Sequence, residues 1–251
     1  KITEIDTFIE EYEDANFTLA ASQRDAVHGV FEHQVEIITG GPGTGKTTVT
    51  KAVLYVHQQV FGGDSNAVLL APTGRAARRM SEATGFPAQT IHSAIGYTGV
   101  AELDNRNEGF LEGNLFIIDA SSMMDQFIAA KLLSMIPDGA KVVFVGDPDQ
   151  LPSVGAGNVL REMIRSKAVP TTRLSVIFRQ AQDNPIVGNS LKINQGCTNL
   201  TFTNTFCFIE RSAPEEILRT ACAFYVKAVK KFGLENVILL NPFRNKGLLS
   251  V

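Results

Sequence analysis

Four short apolar runs punctuate the first part of the chain: Val35–Thr39, Ala67–Ala71, Leu115–Asp119 and Lys141–Asp147. Each is continuous rather than alternating, as in a central parallel strand covered on both faces. Between them lie stretches with helical spacing, Lys46–Val60, Arg75–Glu82 and Gln126–Met135, the last stopped by Pro137. This strand–helix rhythm predicts an α/β domain, a doubly wound parallel sheet with helices on both faces. Gly96–Asn114, rich in Gly, Asn and Glu, breaks the rhythm and reads as a small hairpin or insertion.

A second unit is expected from Thr172, giving domains 1–171 and 172–251. It holds a helix ending at Gly196, then an amphipathic helix through "EEILRTACAFYVKAVKKFG" with Gly233 as its C-cap. Asn236–Phe243 reads as another buried strand. One strand is too few for a parallel sheet, so this second domain is expected to be truncated. The absence of an initiating Met also suggests a fragment.

Composition narrows the function classes. With 251 residues, 44% hydrophobic and 20% charged, the chain is an ordinary folded globular protein. No apolar run reaches the ~20 residues that span a bilayer, so no membrane partner is expected. The acidic start "KITEIDTFIEEYEDANF" does not read as a signal peptide. Cys197, Cys207 and Cys222 lack metal-ligand spacing and suit thiols in a reducing, cytoplasmic setting. The four histidines form no H-E-x-x-H pattern. A net charge of −3 and a pI near 5.9 give no general attraction to nucleic acid, so any such site is a local groove.

The chemistry begins at "GGPGTGKT", Gly40–Thr47, which fits G-x-x-x-x-G-K-[ST] between a strand and a helix. The glycines let backbone N–H groups turn toward phosphate oxygens, and the helix N-terminus adds partial positive charge. Gly41, Pro42, Gly43, Thr44, Gly45 and Thr48 are read with this loop as the ATP cradle. Lys46 is placed to reach the terminal phosphates and Thr47 to offer a hydroxyl to Mg²⁺. Asp119 ends its strand at the edge where open α/β sheets bind ligands. It suits either a carboxylate holding Mg²⁺ or a helix N-cap, a job that Ser121, Ser122 or Asp125 also fits. "VGDPDQLPSVGAG", Val145–Gly157, sets Asp147, Asp149 and Gln150 after a third strand. Gln150 has both donor and acceptor for a γ-phosphate or its water; the bland alternative is a surface turn.

Thr73, Thr90 and His92 offer short polar side chains for nucleic-acid phosphates, with Arg75, Arg78 and Arg79 adding charge. Tyr97 or Phe86 suits base stacking. The competing reading makes the arginines solvated helix residues and the aromatics core.

Taken in order, these stretches resemble the superfamily 1B DNA helicases of the RecD type, the exodeoxyribonuclease V alpha-subunit-like group. "LAASQRDAV" resembles their Q motif, "GGPGTGKTT" motif I, "APTGRAARRM" motif Ia and "TIHS" motif Ib. "IIDASSMMD" resembles motif II, "VGDPDQLPSVGAG" motif III and "LSVIFRQA" motif IV. The resemblance implies two RecA-like domains with ATP between them and single-stranded DNA or a single/double-strand junction across both. It implies 5′→3′ movement, a wedge or pin at 96–114, and partners in a recombination or repair complex. It makes Gln23 an adenine reader and Arg179 a γ-phosphate contact. A guanidinium entering from a neighbouring domain offsets transition-state charge, which gives Arg179 a chemical rationale; a surface salt bridge is its bland alternative.

The departure is at Ala120, where the family has Glu after the motif II Asp. That glutamate orients and deprotonates the attacking water. Loss of a positioned base costs roughly 10²–10⁴-fold in rate, so ATP is expected to bind and to be hydrolysed poorly. Two origins fit: an isolated or deliberate change, or a degenerate helicase that uses ATP as a switch. A non-hydrolysing, ATP-dependent DNA- or protein-binding module is the alternative function.

Overall fold

A computed structural model describes residues 2–97, 109–178 and 184–241. Residues 1–200 form one compact unit and residues 201–251 a second. The division falls at Leu200 rather than at Thr172 for a packing reason: strand Thr171–Arg173 pairs with Val35–Thr39, and Leu174 is buried in the first unit's core.

The first unit is built on a six-stranded sheet: β1 (Val35–Thr39), β2 (Ala67–Ala71), β3 (Ala88–Thr90), β4 (Leu115–Ile118), β5 (Lys141–Gly146) and β6 (Thr171–Arg173). The order across the sheet is β3-β2-β4-β5-β1-β6, and every pair is parallel. The P-loop-type α/β fold expected from the strand–helix rhythm is therefore what the chain adopts. β3 and β6 are too short and too polar to announce themselves by hydropathy.

Successive side chains of a strand point to opposite faces, and that alternation sorts two cores. Ile38, Leu69, Leu115, Ile117, Val143 and Val145 share one cluster. It is covered by α1 (Ile2–Ala15), α2 (Ala21–Glu32), α3 (Lys46–Phe61) and α4 (Gly74–Thr84). Ile37, Leu70, Phe116, Ile118, Val142 and Phe144 face the other way. They meet α5 (Ile91–Ala94), α6 (Gln126–Met135) and α7 (Val159–Ser166). In α1, Ile5, Ile9 and Tyr12 recur at helical spacing and all are buried, so the acidic start of the chain hides an apolar stripe. α8 (Pro185–Asn194) closes the described part of this unit.

In the second unit α9 (Pro214–Phe232) has Gly233 as its C-cap, whose N–H donates to the Val229 carbonyl. The strand expected over Asn236–Phe243 is not formed among its described residues. Ile238, Leu239 and Leu240 are exposed, and no neighbouring strand is described to pair with them. No sheet is present among the described residues of this unit, and the end of the expected strand, 242–243, lies outside them.

Candidate functional site

Because all six strands run parallel, the residues after β1, β2, β4 and β5 gather at one edge. The loop after β1 is the glycine-rich one. Gly43 and Gly45 have φ of 76° and 83°, values that L side chains rarely adopt. Thr44 is buried and its hydroxyl donates to the Gly41 carbonyl at 2.9 Å, so it shapes the loop from within. Lys46 opens α3, and its ammonium donates to the Gly40 and Gly41 carbonyls at 2.5 and 3.0 Å. A cation folded onto loop carbonyls stands where the terminal phosphates of a nucleotide would replace those acceptors.

β5 lies between β1 and β4, so Asp147 at the end of β5 separates the loop from Asp119 at the end of β4. Burial pushes the Lys46 ammonium below its usual range, while the negative charges of Asp147 and Asp119 pull it back. Burial likewise pushes the Asp119 carboxyl up; the Ala120 N–H and Lys46 oppose it. Asp119 does not cap a helix. That role belongs to Asp125, whose carboxylate accepts from the Phe127 and Ile128 N–H groups at 2.9 Å each.

Asp119 and Thr47 line one cavity of about 220 Å³ between α3 and α4. Two oxygen donors, one a desolvated carboxylate, fit a hard divalent cation such as Mg²⁺. Among the described residues nothing hydrogen-bonds the Thr47 hydroxyl. Ala120 follows with φ 50° and ψ 34°, a left-handed conformation for a residue with a Cβ. Nothing polar extends from it. Asp125 is committed to its cap, and Asp147 accepts from the Asp149 N–H and from Gln150 Nε2 at 3.0 and 3.3 Å.

Gln150 is exposed and lines a second cavity, of about 290 Å³, with Gly41, Pro42 and Asp147 on one side and α8 on the other. The loop around it is held in place. Gln126 N–H donates to the Ala156 carbonyl at 2.9 Å, and Arg161 donates to the Pro148 carbonyl at 2.8 Å.

Gln23 lies on α2 and is buried. Its oxygen accepts from the Ala20 N–H at 2.9 Å, and its nitrogen donates to the Thr44 carbonyl at 3.4 Å. A Cβ on Gly45 would come within 2.3 Å of that nitrogen and 3.1 Å of the Phe178 ring. The Phe178 N–H donates to the Gly43 carbonyl at 3.2 Å. Phe178 is thus a residue of this site that no sequence pattern singled out by itself; it immediately precedes Arg179. Arg179 lies outside the described residues, as do positions 98–108 of the expected insertion.

The positions read as nucleic-acid contacts divide. Thr73 caps α4, its oxygen accepting from the Ala76 N–H, and Thr90 caps α5 by accepting from the Ser93 N–H. β2 and β3 are paired with Ala71 opposite Thr90, so these two helix starts are neighbours. Each capping threonine keeps its O–H for a further acceptor. His92 meets Tyr97 edge-on at 5.2 Å, and Tyr97 is half exposed. Arg75 is exposed, Arg78 pairs with Glu82 at 2.9 Å, and Phe86 packs on the core. Phe86 is half-buried there.

Comparison with known proteins agrees with this geometry. The AAA domain family matches residues 18–210. The ATP-dependent RecD2 DNA helicase of Deinococcus radiodurans is 40% identical over 169 residues, 67% of this chain and 23% of that protein. The RecBCD enzyme subunit RecD of Haemophilus influenzae is 34% identical over 170 residues, 59% of this chain and 27% of its own length. The chain thus spans about a quarter of the curated relatives it matches. The crystal structure of Pif1 helicase from Candida albicans aligns over 83% of this chain and 48% of that one, with a TM-score of 0.57 and 20% identity, a likeness of fold. The chain belongs to the AAA domain family, and its resemblance to RecD-type helicases, read first from the motifs, holds.

Proposed function

We propose that this AAA-family chain binds ATP with Mg²⁺ at the P-loop edge of its sheet and single-stranded DNA, or a single/double-strand junction, beside it. In this reading it is the ATP-binding motor core of a DNA helicase. The observation that carries it is the convergence of Lys46, after the β1 loop, with Asp119 and Asp147, at the ends of β4 and β5, at one sheet edge. Lys46 would take the terminal phosphates; Thr47 and Asp119 would hold the metal, which neutralises phosphate charge. Gln23 and Phe178 flank the loop where the base would lie. Gln150 would face the γ-phosphate, and Arg179 would supply a guanidinium to offset its charge. Thr73, Arg75, Thr90 and His92 would contact DNA phosphates, which bind without reading sequence. Similarity to RecD-type helicases supports movement in the 5′→3′ direction and assembly with recombination or repair subunits.

Hydrolysis is expected to be impaired, because a methyl group stands at Ala120 where a base would act. The same residue favours a second reading, an ATP-dependent switch that holds DNA or a protein in one state without turnover.

The test is an equilibrium titration with a non-hydrolysable ATP analogue and Mg²⁺, with and without oligo-dT. Mutual tightening supports the motor, because coupling between sites is reciprocal. Nucleotide binding indifferent to DNA favours the switch, and no nucleotide binding overturns both.

A further inference from the structure

The cavity beside Thr47 and Asp119 has a second wall. On α4, Arg79 and Ala83 are four residues apart, as are Met80 and Thr84, so all four share one stripe of the helix. On α3, Thr47 and Thr50 face them. Small side chains on both helices leave the gap of about 220 Å³, room for about seven waters at ~30 Å³ each. An ion of one phosphorus and four oxygens fits within it.

We propose that this cavity, which adjoins the P-loop on its metal side through Thr47 and Asp119 and is otherwise lined by residues outside the nucleotide cradle, is an orthophosphate subsite with Arg79 as its guanidinium. Its assignment as a site for product phosphate rests on the nucleotide-binding reading above. The lining suits a tetrahedral oxyanion. Arg79 offers a planar fork of N–H donors. It is exposed, and among the described residues no carboxylate pairs with it, whereas neighbouring Arg78 is held by Glu82. Thr47 lines the same space. Thr50 donates to the Lys46 carbonyl at 3.1 Å and Thr84 to the Met80 carbonyl at 2.7 Å, leaving oxygen lone pairs but also hydroxyls able to turn outward. Asp119 is the one unfavourable group for an anion. It is also the metal-side carboxylate, so its charge is offset when a divalent cation is bound. The subsite is therefore expected to take phosphate in the presence of Mg²⁺ and to lose it when Mg²⁺ is withdrawn.

Backbone phosphates of DNA share this chemistry, and the experiment separates the two sources. Orthophosphate affinity is measured by calorimetry in millimolar Mg²⁺ for the chain and for Arg79→Ala, Arg79→Lys and Lys46→Ala. Arg79→Ala should weaken phosphate about tenfold, the scale of one charge-assisted hydrogen bond, and Arg79→Lys should restore part of it. Lys46→Ala should change it less than about threefold. Oligo-dT should not displace the ion. Phosphate lost in Lys46→Ala but bound normally by Arg79→Ala would put the ion in the P-loop and overturn the proposal. Displacement by oligo-dT that depends on Arg79 would overturn it too, as would no phosphate binding at all. ADP titrated into the same proteins tests the nucleotide reading on its own: failure of ADP to bind sinks that reading, while the Arg79 dependence of phosphate still decides the subsite.

Discussion

The side-chain nitrogen of Gln23 lies 3.4 Å from the backbone oxygen of Thr44, a bond between a helix and a phosphate loop that are 21 residues apart in sequence. The same side chain accepts from the Ala20 N–H, closing the N-terminus of α2. One residue thus links the start of a helix to the shape of the loop.

Gln23→Ala should therefore lower stability by about 1 kcal/mol, the worth of one capping interaction, and weaken ATP as well. Gln23→Glu keeps the acceptor for Ala20 and loses the donor to Thr44. It should retain most of the stability and still bind nucleotide poorly. Thermal unfolding and nucleotide titration of the two variants separate the roles, and equal loss of stability in both would contradict the assignment.

At position 120 the backbone is already left-handed, so Glu pays no more strain there than Ala. Ala120→Glu should leave the melting temperature nearly unchanged and raise DNA-stimulated hydrolysis roughly 10²–10⁴-fold. Ala120→Gly should stabilise the fold by about 0.5–1 kcal/mol, because relief of the left-handed strain outweighs glycine's extra freedom in the unfolded chain. Chemical denaturation of the three proteins checks the stability order, and phosphate release assays check the rates.

Phe178 offers an optical readout, since the sequence contains no Trp. Phe178→Trp puts a single tryptophan beside Gly45. Its emission should change saturably with ADP and Mg²⁺, and Lys46→Ala in the same background should abolish the change. Emission unaffected by saturating nucleotide would remove Phe178 from the site.

His57 is fully buried in α3, with Nδ1 2.8 Å from the Ser65 hydroxyl and its ring against Phe61. Burial first, then the positive charge of Lys141, holds its pKa down to about 4 from 6.5. The folded state thus binds fewer protons than the unfolded chain between those values, so this group's contribution to stability falls as pH drops from about 6.5 to about 4. Glu36 acts in the opposite sense: burial raises its carboxyl, so acidification through its folded pKa adds stability. The clean measurement is the difference between the parent and His57→Leu across that window. The parent should lose stability relative to the variant as the pH falls, and parallel curves would contradict the account.

Much of this protein was legible along its chain. Continuous apolar runs give β1, β2, β4 and β5 because burial on both faces needs no polar alternation. The phosphate loop is equally local: positive φ at Gly43 and Gly45 demands glycine, and Lys46 must follow at the helix start. Ala120 is a departure visible in one letter. The helix caps of Thr73 and Thr90 are local as well, each made to the N–H three residues on.

What tertiary structure decided are the relations between distant segments. Apolarity alone made Asn236–Phe243 look like Leu115–Asp119, but a strand exists only where a neighbour completes its hydrogen bonds, and the described residues 236–241 have none. Nothing in the sequence states that β5 lies between β1 and β4, and that order is what brings Asp147 and Asp119 within reach of Lys46's charge. Arg78 and Arg79 are adjacent letters of one helix. A turn of 100° per residue gives the first to Glu82 and solvent and the second to the cavity at Asp119, because side-chain direction and the packing of α4 against α3 are properties of the folded molecule.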